Sequence, residues 1–164
     1  MSEPSRVEIG EPAPEFTLPA DGGREISLGQ FRGKPVVLYL YPRDDTSGCT
    51  REALDFTERL PEFEAEGAAV LGLSKDNVAS HDRFINKHGL KVTLLSDTSG
   101  ETAQAYGAWV EKSMYGRKYM GIDRSTFLID GEGVLRRIWR KVKVPGHVEE
   151  VLAALRELET AKSG

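Results

Sequence analysis

The chain has 164 residues, of which 39% are hydrophobic and 29% are charged, and its formal net charge is −4. These values are typical of one soluble globular domain, residues 1–164, and they exclude a strongly basic surface for nucleic acid. No apolar run is long enough to cross a bilayer, and no signal-peptide pattern opens the sequence. One cysteine cannot form an internal disulfide, which fits a reducing compartment. We therefore expect a cytoplasmic protein without membrane or nucleic-acid partners.

The first part of the chain predicts an arm followed by a hairpin. Residues 1–15 are polar and rich in proline, which indicates an extended N-terminal arm. Two short apolar stretches, 16–18 and 25–28, flank the turn-forming run Asp21-Gly22-Gly23. This pattern predicts a short β-hairpin.

Residues 36–50, VVLYLYPRDDTSGCT, have the clearest pattern in the sequence. The unbroken apolar run 36–41 predicts a strand buried on both faces, and Pro42 ends it because proline has no N–H to donate. After a turn-rich loop, a helix is predicted to begin at Cys49, with Pro61 as a break or kink. The apolar stripe of this helix is formed by Ala53, Phe56, Leu60 and Phe63.

The remainder of the chain alternates between strand and helix patterns. The predicted strands are 69–73, 92–95, 126–129 and 134–139, the predicted helices are 77–88, 101–106 and a last one after Pro145-Gly146, and Asp130-Gly131-Glu132-Gly133 is a hairpin turn. Residues 109–120 show no regular period and are predicted to be an irregular loop. The order of elements predicts an α/β fold with a central mixed β-sheet and helices on both faces.

The single cysteine is the first candidate for chemistry. Cys49 lies on the first turn of the predicted helix, at the carboxyl end of a buried strand, where sites in such sheets are found. The partial positive charge of a helix N-terminus favours a thiolate, which is the nucleophilic form of cysteine. A small buried hydrophobic residue is the alternative, and the residues alone leave both interpretations open.

Four further residues are candidates to act with this cysteine. Thr46 can present its hydroxyl to the sulfur or to a substrate, and the N–H groups of Gly48 and Cys49 form part of a donor pocket. Glu52, one turn later, can hold an arginine in position. Arg124, just before a predicted strand, would favour the thiolate and donate to an oxyanion. Each of these residues also has a plain structural alternative as a turn, cap or surface residue.

Other chemistries have less support in the sequence. Asp44-Asp45-Thr46 follows a buried strand as in aspartyl-phosphate enzymes, but the Asp-x-Asp spacing is absent. A cysteine hydrolase needs a histidine base, and we expect solvated helix positions for His81 and His88 and a first-turn position for His147. No cluster has the spacing of a metal site, so neither a metal nor another cofactor is implied.

A family resemblance rests on four stretches of the sequence. The run from Pro42 to Cys49 is similar to the Pro-x-x-x-Thr/Ser-x-x-Cys signature of peroxiredoxins. Stretches 111–120, 121–130 and 144–151 resemble the bacterioferritin-comigratory (PrxQ) branch of that family, and the similarity extends from about residue 10 to residue 155. The resemblance implies a thioredoxin-like fold with an N-terminal hairpin extension, and a thiol-dependent peroxidase that reduces hydrogen peroxide or organic hydroperoxides.

The resemblance also implies roles for individual residues. Cys49 is the peroxidatic thiolate that becomes a sulfenic acid, and Pro42 shields its pocket. Thr46 and Arg124 hydrogen-bond the peroxide and the sulfur, and Glu52 orients Arg124. Such donors lower the barrier because charge develops on the departing oxygen.

The sequence departs from the family pattern at the resolving cysteine. Many relatives carry it five residues after the peroxidatic one, where this chain has Leu54, and the following helix has none either. We therefore expect a one-cysteine peroxidase, monomeric, that is recycled by an external thiol such as thioredoxin, a glutaredoxin or a low-molecular-weight thiol. A non-catalytic peroxide sensor or redox adaptor, and a thiol–disulfide oxidoreductase, remain alternatives. The latter requires Cys-x-x-Cys, which is absent.

Overall fold

The structure is a computed structural model that describes the main chain of residues 7–163 and the side chains of residues 7–158. The elements are β1 (Thr17–Pro19), β2 (Glu25–Ser27), β3 (Val36–Leu40), α1 (Ser47–Ala65), β4 (Ala69–Ser74), α2 (Val78–His88), β5 (Thr93–Ser96), α3 (Glu101–Ala105), β6 (Trp109–Met114), β7 (Arg117–Ile122), β8 (Ser125–Ile129), β9 (Leu135–Trp139) and α4 (His147–Ser163). Short 3₁₀ turns occupy Asp21–Gly23 and Leu28–Phe31. None of the helices in 7–163 has the length and apolar character needed to cross a membrane.

A five-stranded mixed sheet lies at the centre of the fold. Its strand order is β5-β4-β3-β8-β9, with β3, β4 and β5 parallel and with β8 antiparallel to both β3 and β9. The position of β3 explains its unbroken apolar run, because this strand is paired along both edges and buried on both faces. The prediction of a mixed α/β sheet is confirmed.

Alternate side chains of β3 enter two different hydrophobic clusters. Val37 and Tyr39 join the cluster formed with α1, α2 and α4, whereas Val36, Leu38 and Leu40 join the one formed with α3 and the N-terminal hairpin. The sheet is therefore covered on both faces. The β1–β2 hairpin pairs as predicted, and residues 10–13 of the arm bond to the β8–β9 turn region, with Gly10 N–H donating to Leu135 O and Ala13 N–H to Gly133 O. The part of the predicted arm in 1–6 lies outside the described residues.

The prediction of an irregular loop over 109–120 is wrong. Strands β6 and β7 form a regular antiparallel hairpin from Trp109↔Ile122 to Met114↔Arg117. The turn residues Tyr115 and Gly116 have φ values of 52° and 79°, and the positive φ at both positions is the pattern of a type I′ turn. The hairpin stands largely in solvent, so its strands have no apolar alternation, and tyrosine occupies a position where asparagine is the usual signal.

Pro61 was predicted to break or kink this helix, and it does not break it, since α1 continues through Pro61 to Ala65. The helix begins at Ser47, two residues earlier than predicted. Proline removes the N–H that would bond the carbonyl of Thr57. Phe56 and Phe63 are fully buried on either side of this position, and their packing keeps the helix continuous.

Candidate active site

The end of β3 and the start of α1 place Cys49 inside the protein. A loop of residues 41–46 joins them, with Thr46 as the N-cap of α1 and Cys49 in the first turn. The sulfur-bearing side chain is only 1% exposed and belongs to the core cluster that includes Tyr39 and Phe56. The thiol therefore lies at a helix N-terminus beneath the loop.

Arg124 reaches this cysteine from the neighbouring strand. The antiparallel register pairs Leu40 with Ser125, which puts Arg124 just beyond the end of β3. Its Nη2 donates to Cys49 Sγ at 3.4 Å, and its Nη1 donates to Glu52 Oε1 at 2.7 Å. Since Glu52 lies one helical turn after Cys49, one guanidinium joins both side chains on the same face of α1.

The electrostatics of this cluster reflect burial. Burial raises the pKa of Glu52 to about 7, although the charge and the hydrogen bond of Arg124 act in the opposite direction. The second carboxylate oxygen, Oε2, has no hydrogen-bond partner among the described residues. Burial also disfavours the charge of Arg124, but Glu52 and Cys49 outweigh it and raise the arginine pKa, so the guanidinium remains a permanent cation beside the sulfur.

Gly48 makes room for the arginine. A Cβ atom at this position would lie 3.0 Å from Arg124 Nη2, closer than such contacts normally are. The lack of a side chain thus allows the guanidinium to approach the first turn of α1. This is a packing role, in addition to the N–H group that we expect Gly48 to offer.

Thr46 and Pro42 lie on the loop that joins β3 to α1. The hydroxyl of Thr46 donates to the carbonyl of Arg43 at 3.0 Å and does not cap α1. Thr46 is exposed and Pro42 is half-buried. The structure thus brings Cys49, Glu52, Arg124 and Gly48 into contact, while the Thr46 hydroxyl bonds to the loop instead of the sulfur. Leu54 is 38% exposed on α1.

Comparisons with a family model and with known proteins gave matches over most of the chain. The AhpC/TSA family model matches residues 9–138. A putative peroxiredoxin bcp of Coxiella burnetii is 50% identical over 149 residues, covering 91% of this chain and 99% of the relative, and peroxiredoxin Bcp of Bacillus subtilis is 45% identical, covering 93% and 97%. The chain belongs to the AhpC/TSA family and is a peroxiredoxin.

Solved peroxiredoxins have the same fold. A structure of Xanthomonas campestris peroxiredoxin Q superposes with a TM-score of 0.84 at 46% identity, covering 88% of this chain and 91% of that one. A PrxQ variant of Xylella fastidiosa reaches 0.89 at 40% identity, covering 93% and 98%. The predicted family and the thioredoxin-like fold are confirmed. This peroxiredoxin is a thiol-dependent peroxidase, so its substrates are a peroxide and a thiol reductant.

The prediction for His81 is wrong, because this histidine of the peroxiredoxin is fully buried instead of solvated. Its Nδ1 lies 2.8 Å from Asp44 Oδ2 and its Nε2 lies 2.9 Å from the carbonyl of Leu95. Helical spacing alone did not reveal this position, because its partners come from the Cys49 loop and from β5. His88 is half-buried, with Nε2 at 2.8 Å from Asp45 Oδ1.

His147 occupies the first residue of α4, as predicted, but it too is buried. Its Nε2 lies 2.8 Å from Thr126 Oγ1, and burial lowers the pKa of the imidazole to about 4. The histidine is therefore neutral at pH 7. Among the side chains of residues 7–158, no group of three or more His, Cys, Asp or Glu residues is arranged to hold a metal ion.

Proposed function

We propose that Cys49 is the peroxidatic residue of this peroxidase. The thiolate attacks one oxygen of R–O–OH, the O–O bond breaks, and sulfur is oxidised to a sulfenic acid while the departing oxygen takes a proton to give an alcohol or water. The contact of 3.4 Å between Arg124 Nη2 and Cys49 Sγ is the observation that carries this proposal. It puts a permanent donor beside the nucleophile in a site from which water is largely excluded.

Arg124 stabilises charge before and during this reaction. It favours the thiolate in the ground state and donates to the departing oxygen in the transition state. Glu52 positions the guanidinium through the 2.7 Å bond to Nη1, which leaves Nη2 directed at the sulfur. Fixing these donors before the peroxide arrives removes part of the entropic cost of the reaction.

The remaining site residues bind and enclose the peroxide. The Thr46 hydroxyl donates a hydrogen bond to the main-chain carbonyl of Arg43, so its oxygen can still accept a hydrogen bond from the peroxide O–H. The N–H groups of Gly48 and Cys49 at the start of α1 complete the set of donors. Pro42 covers the pocket from the loop side. These groups fit hydrogen peroxide and also alkyl hydroperoxides. The similar Xanthomonas campestris bacterioferritin comigratory protein has alkyl peroxide reduction activity.

A second molecule must complete the catalytic cycle, because the sequence contains one cysteine. An external thiol attacks the sulfenic sulfur and forms a mixed disulfide and water, and a further thiol then releases Cys49. We propose thioredoxin, a glutaredoxin or a low-molecular-weight thiol as the reductant. We further propose that the protein is a monomer and that it acts in the cytoplasm, because such thiols are kept reduced there.

Steady-state peroxide consumption tests the proposal. The wild type and Cys49→Ser are compared with each class of reductant, and we expect turnover only in the wild type and with only some of the reductants. Many turnovers per molecule separate an enzyme from a sensor, which is oxidised once. Equal rates for the two proteins would refute the role of Cys49.

A further inference from the structure

The loop that carries the peroxide pocket is attached to helix α2 through two consecutive aspartates. Asp44 contacts Ser80 and His81 in the first turn of α2, and Asp45 contacts the last two residues of the helix. Asp45 has a φ of 60°, an uncommon conformation for a residue other than glycine. Aspartate adopts this left-handed conformation more readily than most residues, so we look to the buried contacts of Asp44 for what holds the loop in place.

Asp44 is the buried half of this attachment. Its Oδ1 accepts from the Tyr41 hydroxyl at 2.6 Å, and its Oδ2 accepts from Ser80 Oγ at 2.7 Å and from His81 Nδ1 at 2.8 Å. Its main-chain N–H donates to Asp76 Oδ2 at 2.7 Å. Burial alone would raise the pKa of this carboxyl, but the hydrogen bonds of His81 and Tyr41 hold the pKa below its usual value, so Asp44 is ionised.

The partners of His81 determine its charge. Nδ1 faces a carboxylate oxygen and Nε2 faces the Leu95 carbonyl, and both of these groups only accept hydrogen bonds. Both ring nitrogens must therefore carry a proton, which makes His81 an imidazolium cation. Burial opposes this charge, but Asp44 outweighs it and raises the pKa of His81. Asp44 and His81 are a fully hydrogen-bonded ion pair inside the protein.

This ion pair stands close in sequence to the reacting groups but takes no part in the chemistry. In the sequence Asp44 lies between Pro42 and Thr46, the residues assigned above to enclosing and binding the peroxide, and five residues before Cys49. Arg124 and Glu52 are held by β8 and α1, independently of this loop. A shift of the loop would therefore move Pro42 and Thr46 relative to the guanidinium and the sulfur.

We propose that His81, acting through Asp44, is a positioning residue that holds the Pro42–Thr46 side of the peroxide pocket in its reactive arrangement. The inference rests on the proposed role of Cys49. A displacement of about 1 Å can lower the rate of an enzyme by about 10²-fold, so the loss of this ion pair reaches the chemistry without any contact between His81 and the substrate.

The test compares two histidines of the same helix. His81→Asn keeps one donor for Asp44 but removes the positive charge and the bond to the Leu95 carbonyl. His88→Asn is the control. It removes the contact between His88 and Asp45, which has the same length of 2.8 Å but is more accessible to solvent. We expect the single-turnover rate of Cys49 with hydrogen peroxide to fall by about 10²-fold in His81→Asn. We expect this rate to change by less than about threefold in His88→Asn, because the partner Asp45 is exposed to solvent, where such a contact contributes little.

Three readouts separate positioning from loss of structure. Alkylation of Cys49 by iodoacetamide, which needs no assembled peroxide pocket, should not slow in His81→Asn. Asp44→Asn should lose a similar factor, and the double variant should lose less than the product of the two single losses. The proposal is overturned if the fall in peroxide rate of His81→Asn is fully explained by the unfolded fraction of that variant, measured by urea titration. It is also overturned if the rate of the double variant falls by the product of the two single-variant factors.

The pH dependence of the wild type gives a measurement that requires no variant. Asp44 from the loop and Asp76 after β4 are the acidic groups acting on His81, and β5 contributes a carbonyl. As pH rises through the raised pKa of His81, followed by NMR, one donor is lost and the peroxide rate should fall. Glu52, whose pKa burial raises to about 7, also titrates at the site, so the fall in rate must follow the His81 resonances and not the titration of this carboxyl. An unchanged rate would overturn the proposal, whereas a wild type without any peroxidase turnover would instead refute the proposed function.

Discussion

The guanidinium of Arg124 lies 3.4 Å from the sulfur of Cys49, although 75 residues separate the two in the sequence. The antiparallel pairing of β8 with β3 brings the arginine to the end of the strand that leads to the cysteine, and Glu52 then fixes one side of its fork. A buried nucleophile, a permanent cation and a buried carboxylate therefore form one hydrogen-bonded unit.

Replacing this arginine tests the geometry of the fork. We expect Arg124→Lys to lower the rate of Cys49 oxidation by roughly 10²–10³-fold, because an ammonium group cannot reach the sulfur and Glu52 with two parallel donors. Stopped-flow kinetics with hydrogen peroxide measures the rate. Arg51→Lys, an exposed position on the same helix, is the control and should react like the wild type. A normal rate in Arg124→Lys would show that charge alone suffices.

Adding one methyl group at Gly48 should disturb the arginine without harming the helix. Alanine favours the helical state over glycine, but its Cβ would lie 3.0 Å from Arg124 Nη2 and force the guanidinium away from the sulfur. We expect the peroxide rate of Gly48→Ala to fall by about tenfold while the melting temperature is unchanged or higher. Ser47→Ala is the neighbouring control. Parallel losses of rate and stability would contradict a local displacement of Arg124.

The stability of the protein should depend on pH through Glu52. Its pKa is about 7 in the folded protein against an ordinary value of 4.5, so the folded state holds the proton more tightly. Stability from this group is then present below pH 4.5 and is lost as pH rises through 7, by up to about 3 kcal/mol. Urea titrations of the wild type and Glu52→Gln at pH 5 and pH 8 measure this term as the difference between the two proteins. An identical pH dependence for both would contradict the assigned shift.

His147 should act in the opposite direction at acid pH. Its pKa is lowered to about 4 from an ordinary value of 6.5, so its contribution to stability is present above pH 6.5 and is lost as pH falls through 4. The loss amounts to about 3 kcal/mol at most, because the buried imidazole must become charged. In His147→Gln the free energy of unfolding should fall less steeply as pH decreases from 6.5 to 4. In the control His88→Gln it should fall as in the wild type. NMR titration of His147 provides an independent check.

The absence of a resolving cysteine predicts over-oxidation. Excess peroxide without a reductant should add oxygens to Cys49, seen by mass spectrometry, because nothing in the chain traps the sulfenic acid. An unmodified thiol would contradict this.

Restoring a cysteine at Leu54 should protect Cys49, but at a structural cost. Five helical residues rise by about 7.5 Å, which exceeds the Cα separation of about 4.4–6.8 Å in disulfides. We therefore expect Leu54→Cys to form the disulfide only as the first turns of α1 unwind. A loss of helical circular dichroism should accompany the oxidation. Disulfide formation with an unchanged spectrum would contradict the requirement for unwinding.

The sequence predicted the secondary structure most accurately for elements whose residues are consistently buried or consistently buried on one side. The buried strand β3 and helices α2 and α4 were predicted closely, because burial imposes apolar periods on the chain. The hairpin β6–β7 was missed because most of its residues on both faces are in contact with solvent, so no apolar period exists. His81 was misjudged because its position on α2 carries no mark of the two acceptors that approach it from other parts of the chain.

The sequence by itself determined that one cysteine stands at the junction of a buried strand and a helix, and that no second cysteine can resolve it. Both conclusions depend on residue identity and short-range spacing, which no folding step can alter. Only the tertiary structure decided which residues surround that cysteine. Arg124 meets Cys49 through strand pairing, and His81 meets Asp44 through the packing of α2 against the loop. Contacts between groups far apart in the chain arise from the sheet topology and leave no periodic signal in the sequence.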